Sequence, residues 1–188
     1  MAPRDPAPGS LEVISAFVNT LNIEDGHDAL ASSQELRAFL TEHRLLDPHD
    51  EIVTTEAAAR ARRVREALRM LLLANHDDEP LDHTAIARLN AAAGDAALML
   101  RFEEDGSSKL LPQASGPNGA LGRLLAIVFS AMQHETWKRL KVCKRDRCRR
   151  AFYDHSKNRS SKWCSMAVCG NREKARAYRR RKRVSVNA

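Results

Sequence analysis

Cys143-Lys144-Arg145-Asp146-Arg147-Cys148 and, fifteen residues further on, Cys164-Ser165-Met166-Ala167-Val168-Cys169 hold all 4 cysteines of a 188-residue chain. Two close pairs bracketing a short loop can set four thiolates tetrahedrally around one zinc ion. The four-residue gap within each pair is wider than the common two-residue knuckle, so spacing alone leaves two disulfides or free buried thiols open. Reduced thiols favour metal over disulfides, and Met1–Ser10 has no apolar stretch of a secretory signal, which predicts a cytoplasmic chain. Residues five apart on a regular α-helix point about 140° away from each other. Cys164 is therefore expected to end an extended segment, Ser165 to cap, and Cys169 to lie at the start of a helix. Four thiolates would fill the coordination shell and leave no place for a reactive water. The expected cofactor is thus one structural Zn2+ per chain, and the expected chain is not an enzyme.

Charge divides at the same place. From Lys138 to Ala188 there are 19 Lys plus Arg against 3 acidic residues, a local charge of +16, while the preceding 137 residues carry −9. Both tryptophans and both tyrosines also lie at or beyond Trp137. A basic, cysteine-bearing end on an acidic aliphatic body points to a nucleic acid or another anionic surface as its partner. The longest unbroken apolar run, Leu124 to Phe129, is six residues, far short of the roughly 20 that span a membrane, so no membrane partner is expected.

Toward the amino terminus the pattern is helical. Leu11, Ile14, Phe17, Val18 and Leu21 form one stripe; Ser32 with Glu35 is a capping box before Leu36, Phe39 and Leu40; Pro48 closes that unit. The longest helical pattern runs from about Thr55 to Asn75, with Val64, Leu68, Leu71 and Leu72 inward and Arg60, Arg63, Arg65, Glu66 and Arg69 expected in water. Asp82 suits the cap of a further helix. Around Asp105-Gly106 the period changes to two, which predicts a β-hairpin from Leu98–Phe102 and Lys109–Leu111. The stripe from Leu121 to Met132 continues to Trp137 and Leu140, which predicts one helix running into the basic end. The histidines are scattered without catalytic spacing, and Asp77-Asp78-Glu79 before Pro80 reads as a solvated loop. Asn19-Thr20 is either a simple helix terminus or the lining of a ligand pocket.

Trp163-Cys164-Ser165-Met166 and Cys169-Gly170-Asn171-Arg172, with Phe152-Tyr153-Asp154, Ser156, Asn158 and Arg159 between the cysteine pairs, resemble the CGNR zinc finger. Phe17-Val18-Asn19-Thr20, the hairpin and the long final helix look like the ABATE domain that usually precedes it. The resemblance implies a bacterial, stress-linked transcription regulator. The expected fold is mainly α with a β-hairpin: an α-helical amino-terminal domain, then a small zinc-stapled, treble-clef-like finger ending in a basic helix. The expected boundaries are a disordered tail over 1–10, the α-rich domain over 11–137, the finger over 138–183 and a tail over 184–188.

Arg172, Arg176, Arg179 and Arg183 recur at helical spacings, and Arg180 and Arg181 spread the charge around the helix. Lys144, Arg145, Arg149 and Arg150 form a second cluster on the first knuckle. Such residues position a protein on phosphates without choosing bases. Asn171 and Arg172 can read adenine and guanine edges. Equally, Asn171 can bond nearby backbone and Arg172 can pair with Asp154 or Glu173. The expected function is DNA-binding transcription regulation, with the body as a small-molecule sensing or assembly module; the alternative is an RNA-binding accessory protein using the same finger.

Overall fold

Three of the helices begin at side-chain caps. In the computed structural model, which describes residues 5–46, 52–76 and 79–186 (183–186 by their backbone), Ser32 accepts from the Glu35 N–H and Glu35 returns a bond to the Ser32 N–H. Thr54 accepts from the Ala57 N–H, and Asp82 from the N–H groups of Thr84 and Ala85. These caps satisfy donors that a helix start leaves unpaired. The resulting helices are α1 (Leu11–Asn19), α2 (Ser33–Glu42), α3 (Thr55–Leu73), α4 (His83–Asp95) and α5 (Gly116–Gln133). Pro48, His49, Asp77 and Asp78 lie outside the described residues, as do 1–4 and 187–188. No helix among the described residues is long and apolar enough to cross a membrane.

Strands β1 (Leu98–Phe102) and β2 (Ser108–Pro112) pair antiparallel with Leu100 opposite Leu110, and Gly106 turns the chain at φ 79°. Only the base of this hairpin packs, and Phe102 near its tip is 75% exposed. Helix α5 lies close against that base because Gly122 has no side chain: a Cβ there would stand 2.7 Å from Ala96 Cβ and 2.8 Å from Pro112 Cβ. Past α5 come a short 3-10 turn (Trp137–Arg139), β3 (Leu140–Val142), β4 (Ala151–Tyr153), a wide π-type turn (Met166–Gly170) and α6 (Asn171–Val186). The fold is therefore mainly helical with two small hairpins, and it ends in a cysteine cluster and a helix.

Three expectations need correction. Helix α5 does not run into the basic end: it stops at Gln133, Glu135 adopts φ 57°, and the Thr136 hydroxyl donates to the Ala131 carbonyl. That reversal turns Trp137 and Leu140 inward, to 5% and 0% exposure. Arg65 and Arg69 are not in water but 2% and 4% exposed. Arg65 donates two bonds to the Asp28 carboxylate, and Arg69 donates to the Val18 carbonyl at 2.7 Å. Residues 5–10 are not a free tail, since Ala7 is buried and its N–H donates to Glu12 Oε2 at 2.7 Å.

The larger of two apolar clusters among the described residues runs from the body into the β3–β4 hairpin, and the smaller surrounds the cysteines. Ile14, Phe17 and Val18 of α1, Leu68 and Leu72 of α3, and Leu121 and Leu124 of α5 share the larger with Trp137, Leu140, Val142, Ala151 and Tyr153. Hairpin β3–β4 thus packs on α3 and α1 as part of the body's interior. Leu140→Ala should open a cavity in that shared core and cost about 2–5 kcal/mol. Far-UV circular dichroism and tryptophan fluorescence should then shift together in one transition; separate transitions would show two independent units.

Candidate metal centre

Hairpin β3–β4 places the first cysteine pair. Cys143 follows β3 and donates its N–H to the Arg150 carbonyl at 2.9 Å, and the Cys148 N–H closes the turn on the Arg145 carbonyl at 2.8 Å. Arg149 takes φ 47° to bring the chain back into β4, and the adjacent Asp146 carboxylate holds its guanidinium at 2.6 Å. The second pair behaves as its spacing requires. Ser165 is extended (φ −150°, ψ 124°), its hydroxyl accepts from the Val168 N–H, and Cys169 lies in the π-type turn that leads into α6. The wide turn solves the angular problem that a regular helix poses for cysteines five apart.

The four Sγ atoms all lie within 4.8 Å of one another, with Cys148–Cys164 at 3.6 Å and Cys164–Cys169 at 3.7 Å. Those separations exclude a disulfide bond, which needs about 2.05 Å. They match the edge of a tetrahedron of sulfurs around an ion at about 2.3 Å, which is about 3.8 Å. Hydrogen bonding from Cys143 and then Cys164 holds the Cys148 thiol far below its ordinary range. Bonding with Cys148 and burial push Cys143 up, and bonding with Cys143 and Cys148 and then burial push Cys164 up. Four thiolates this close repel one another unless a cation lies among them. The cluster fits a metal ion held by Cys143, Cys148, Cys164 and Cys169.

The Cys-Gly-Asn-Arg tetrapeptide acquires distinct roles. Gly170 faces Met166 Sδ and Trp163 Cδ1, which would crowd any Cβ placed there. Asn171 donates its amide to the Ala167 carbonyl at 3.1 Å, the nearby-backbone bond that its type allows. Arg172 pairs with neither Asp154 nor Glu173 but with Glu24 of the α1–α2 loop, at 2.7 Å. Arg145 reaches the same carboxylate at 3.2 Å. Lys144 pairs with Glu79 at 2.8 Å. Arg150 borders a recess of about 100 Å³ together with Asn19, Cys148 and Cys164. Along α6, Arg176, Arg179, Arg180 and Arg181 are exposed; Arg183 continues the helix, and its side chain lies outside the described ones.

Asn19 and Thr20 have assigned partners. Asn19 donates to the Ala151 carbonyl at 3.1 Å and accepts its N–H at 2.8 Å, which joins the end of α1 to β4. Thr20 donates to the Phe17 carbonyl and accepts from Arg65. Further pins join body to finger: Arg69 to the Arg149 carbonyl, Asn75 to the carbonyls of Trp137 and Leu140, and His76 Nε2 to the Val142 carbonyl. Arg69 and Asn75 carry no sequence signal for this, because a polar residue on a helix reads as solvated until its acceptor is known.

Asp154 organises the finger's middle loop. It is 0% exposed and accepts from the N–H groups of Ser156 and Ser161 at 3.0 and 2.9 Å and from Lys141 Nζ at 3.3 Å. Burial opposes its charge, but the hydrogen bonds from Ser156 and Ser161 outweigh it and hold the carboxyl well below the usual range. A depressed folded-state value contributes stability above the unfolded value of about 4 and loses it as pH falls toward the folded value. Asp154→Asn should therefore cost on the order of 3 kcal/mol at neutral pH. The difference in Tm between parent and variant should narrow below about pH 4; a gap independent of pH would deny the carboxylate this role. For the metal centre, elemental analysis should find one metal ion per chain, and Cys164→Ser should lower both metal content and Tm. Unchanged metal in that variant would move the site elsewhere.

Two family models match the chain. The family model described as "CGNR zinc finger" matches residues 139–182, and the ABATE model, described as "Putative stress-induced transcription regulator", matches residues 12–134. A search of curated proteins gave no match. Both descriptions are regulatory or metal-binding rather than enzymatic. The ABATE match alone covers more than half of the chain, and the four cysteines of the finger gather at one point. The chain therefore belongs to the ABATE family and carries a CGNR zinc finger at its carboxy-terminal end.

Proposed function

We propose that the chain is a cytoplasmic, zinc-dependent transcription regulator that binds duplex DNA through its finger. The observation that carries this reading is α6, which starts at the cysteine cluster and presents exposed Arg176, Arg179, Arg180 and Arg181. Its 16 residues span about 24 Å, enough to lie in or along a groove. Zinc is the metal this donor set suits, since four thiolates in a tetrahedron form a closed structural site. Its work here is to fix the start of a helix that its own charge would otherwise disfavour. Reduced thiols fit a reducing compartment. The body supplies regulation: the recess of about 640 Å³ between β2 and α5, lined by Leu110, Leu111, Ile127 and Phe129, is where an apolar effector would bind.

About six phosphate contacts from the basic helix and first knuckle give an expected slope of log affinity against log salt of about −5. Between about 50 and 200 mM salt, that is a loss on the order of a thousandfold. Changing Arg179, Arg180 and Arg181 together to Ala should weaken binding to all duplexes alike and flatten the slope by about 3. Fluorescence anisotropy with duplex and single-stranded competitors measures both. A triple variant binding as well as the parent would reduce α6 to a solvated helix, and preference for single-stranded RNA would replace the DNA reading.

A further inference from the structure

Five arginines from two elements converge beside the metal centre. Arg145 and Arg147 of the first knuckle and Arg172, Arg176 and Arg179 of α6 line a cleft of about 390 Å³. Its acidic members are already engaged: Asp146 with Arg149 at 2.6 Å, and Glu173 with Arg176 at 3.9 Å. So many guanidinium groups around one space repel each other and call for an anion. Part of that demand is met from the body, because the Glu24 carboxylate sits on both Arg145 and Arg172.

Glu24 is held out for this purpose by its loop. The Glu24 N–H donates to Asn22 Oδ1, Asn22 donates to Asp25, and Asp28 at the loop's far end is clamped by buried Arg65. The two arginines differ in freedom. The Arg145 side chain is 12% exposed, whereas the Arg172 side chain is 52% exposed. A carboxylate and a phosphodiester offer the same paired oxygens to a guanidinium fork. Exchange of one for the other at Arg172 needs only a side-chain movement.

We infer that the arginine cleft is a phosphodiester-binding site and that Glu24 is its built-in competitor, which a backbone phosphate of duplex DNA displaces from Arg172. The inference rests on the DNA-binding reading above and adds to it a link from body to finger. Affinity for DNA is then set partly by the position of the α1–α2 loop. Anything that draws this loop away from the finger strengthens DNA binding, and anything that presses it closer weakens it.

The test is a double-mutant cycle on full-length, metal-loaded protein with a random-sequence 20-base-pair duplex at about 50 mM salt, read by anisotropy. Glu24→Gln should tighten binding about three- to fivefold, the worth of an exposed ion pair that no longer has to be broken. In an Arg172→Ala background the same change should gain less than about 1.5-fold. Glu104→Gln, which alters net charge equally on the β1–β2 turn, should leave affinity within about 1.5-fold of the parent. A Glu24→Gln variant that binds no tighter, or more weakly, overturns the competitor role, as does a gain that persists without Arg172 or is matched by Glu104→Gln. Unchanged Tm and metal content in Glu24→Gln, with Glu24→Asp as a second variant of the same carboxylate, keep the reading clear of misfolding. Parent protein that fails to bind any duplex at this salt rejects the DNA reading itself, a result distinct from a parent that binds but ignores Glu24.

Discussion

Four sulfur atoms within 4.8 Å of one another cannot all be thiolates unless a cation lies among them. That constraint governs the geometry of the whole carboxy-terminal end. The cysteines bring the turn after β3 beside the π-type turn before α6, and the Lys144 N–H also donates to the carbonyl of Lys162 in the loop ahead of that turn. The same constraint sets the direction in which α6 leaves the molecule, and so decides which arginines face the first knuckle. The cysteine cluster lies behind the arginine cleft, with the first knuckle on one side of it and the start of α6 on the other.

Yet the finger is not a free appendage stapled shut by metal. Buried or half-buried polar side chains of the body satisfy its backbone at Ala151, Arg149, Trp137, Leu140 and Val142. Leaving such groups unpaired costs about 1–3 kcal/mol each, so every pin opposes separation of the two parts. Arg69 shows the balance most clearly. Burial lowers its affinity for its proton and Glu66 at 3.0 Å offsets only part of that, while the carbonyls of Val18 and Arg149 accept its remaining N–H groups. A helix in the centre of the body thereby holds the first knuckle by its main chain.

The parts of this structure that were legible from the residues are those governed by local rules. The capping box at Ser32, the Asp82 cap, the hairpin turn at Gly106 and the extended Ser165 all stem from interactions within five residues. What escaped depends on partners far along the chain. Arg65 and Arg69 occupy helix positions that read as solvated, and only the approach of Asp28, Val18 and Arg149 makes their burial tolerable. The stripe from Leu121 through Leu140 keeps helical spacing across a real break, because Trp137 and Leu140 serve the same core after the reversal at Glu135. Periodicity reports which residues are buried, and it cannot tell one continuous helix from two segments that bury the same face. The site divides likewise: the cysteines declared themselves by spacing, while Glu24 lies 121 residues from Arg145 and 148 from Arg172.

The uneven charge of the chain acquires a structural meaning from these long-range pairs. A region of +16 beside one of −9 could simply be two surfaces facing opposite ways. Instead, Glu24 and Glu79 place body carboxylates on Arg145, Arg172 and Lys144 of the finger. The body acts as an internal counterion for the part of the finger nearest it, while Arg179, Arg180 and Arg181 further along α6 stay exposed. A polyanion approaching the molecule therefore meets two kinds of arginine. Those far out on the helix are ready, and those at the cleft are already engaged. Exposed ion pairs of this kind are worth about 0.2–1 kcal/mol, enough to shift an affinity severalfold without blocking it. An ion pair of that size can be exchanged without disturbing the core that body and finger share, so the charges at the cleft and the packing beneath it are separable.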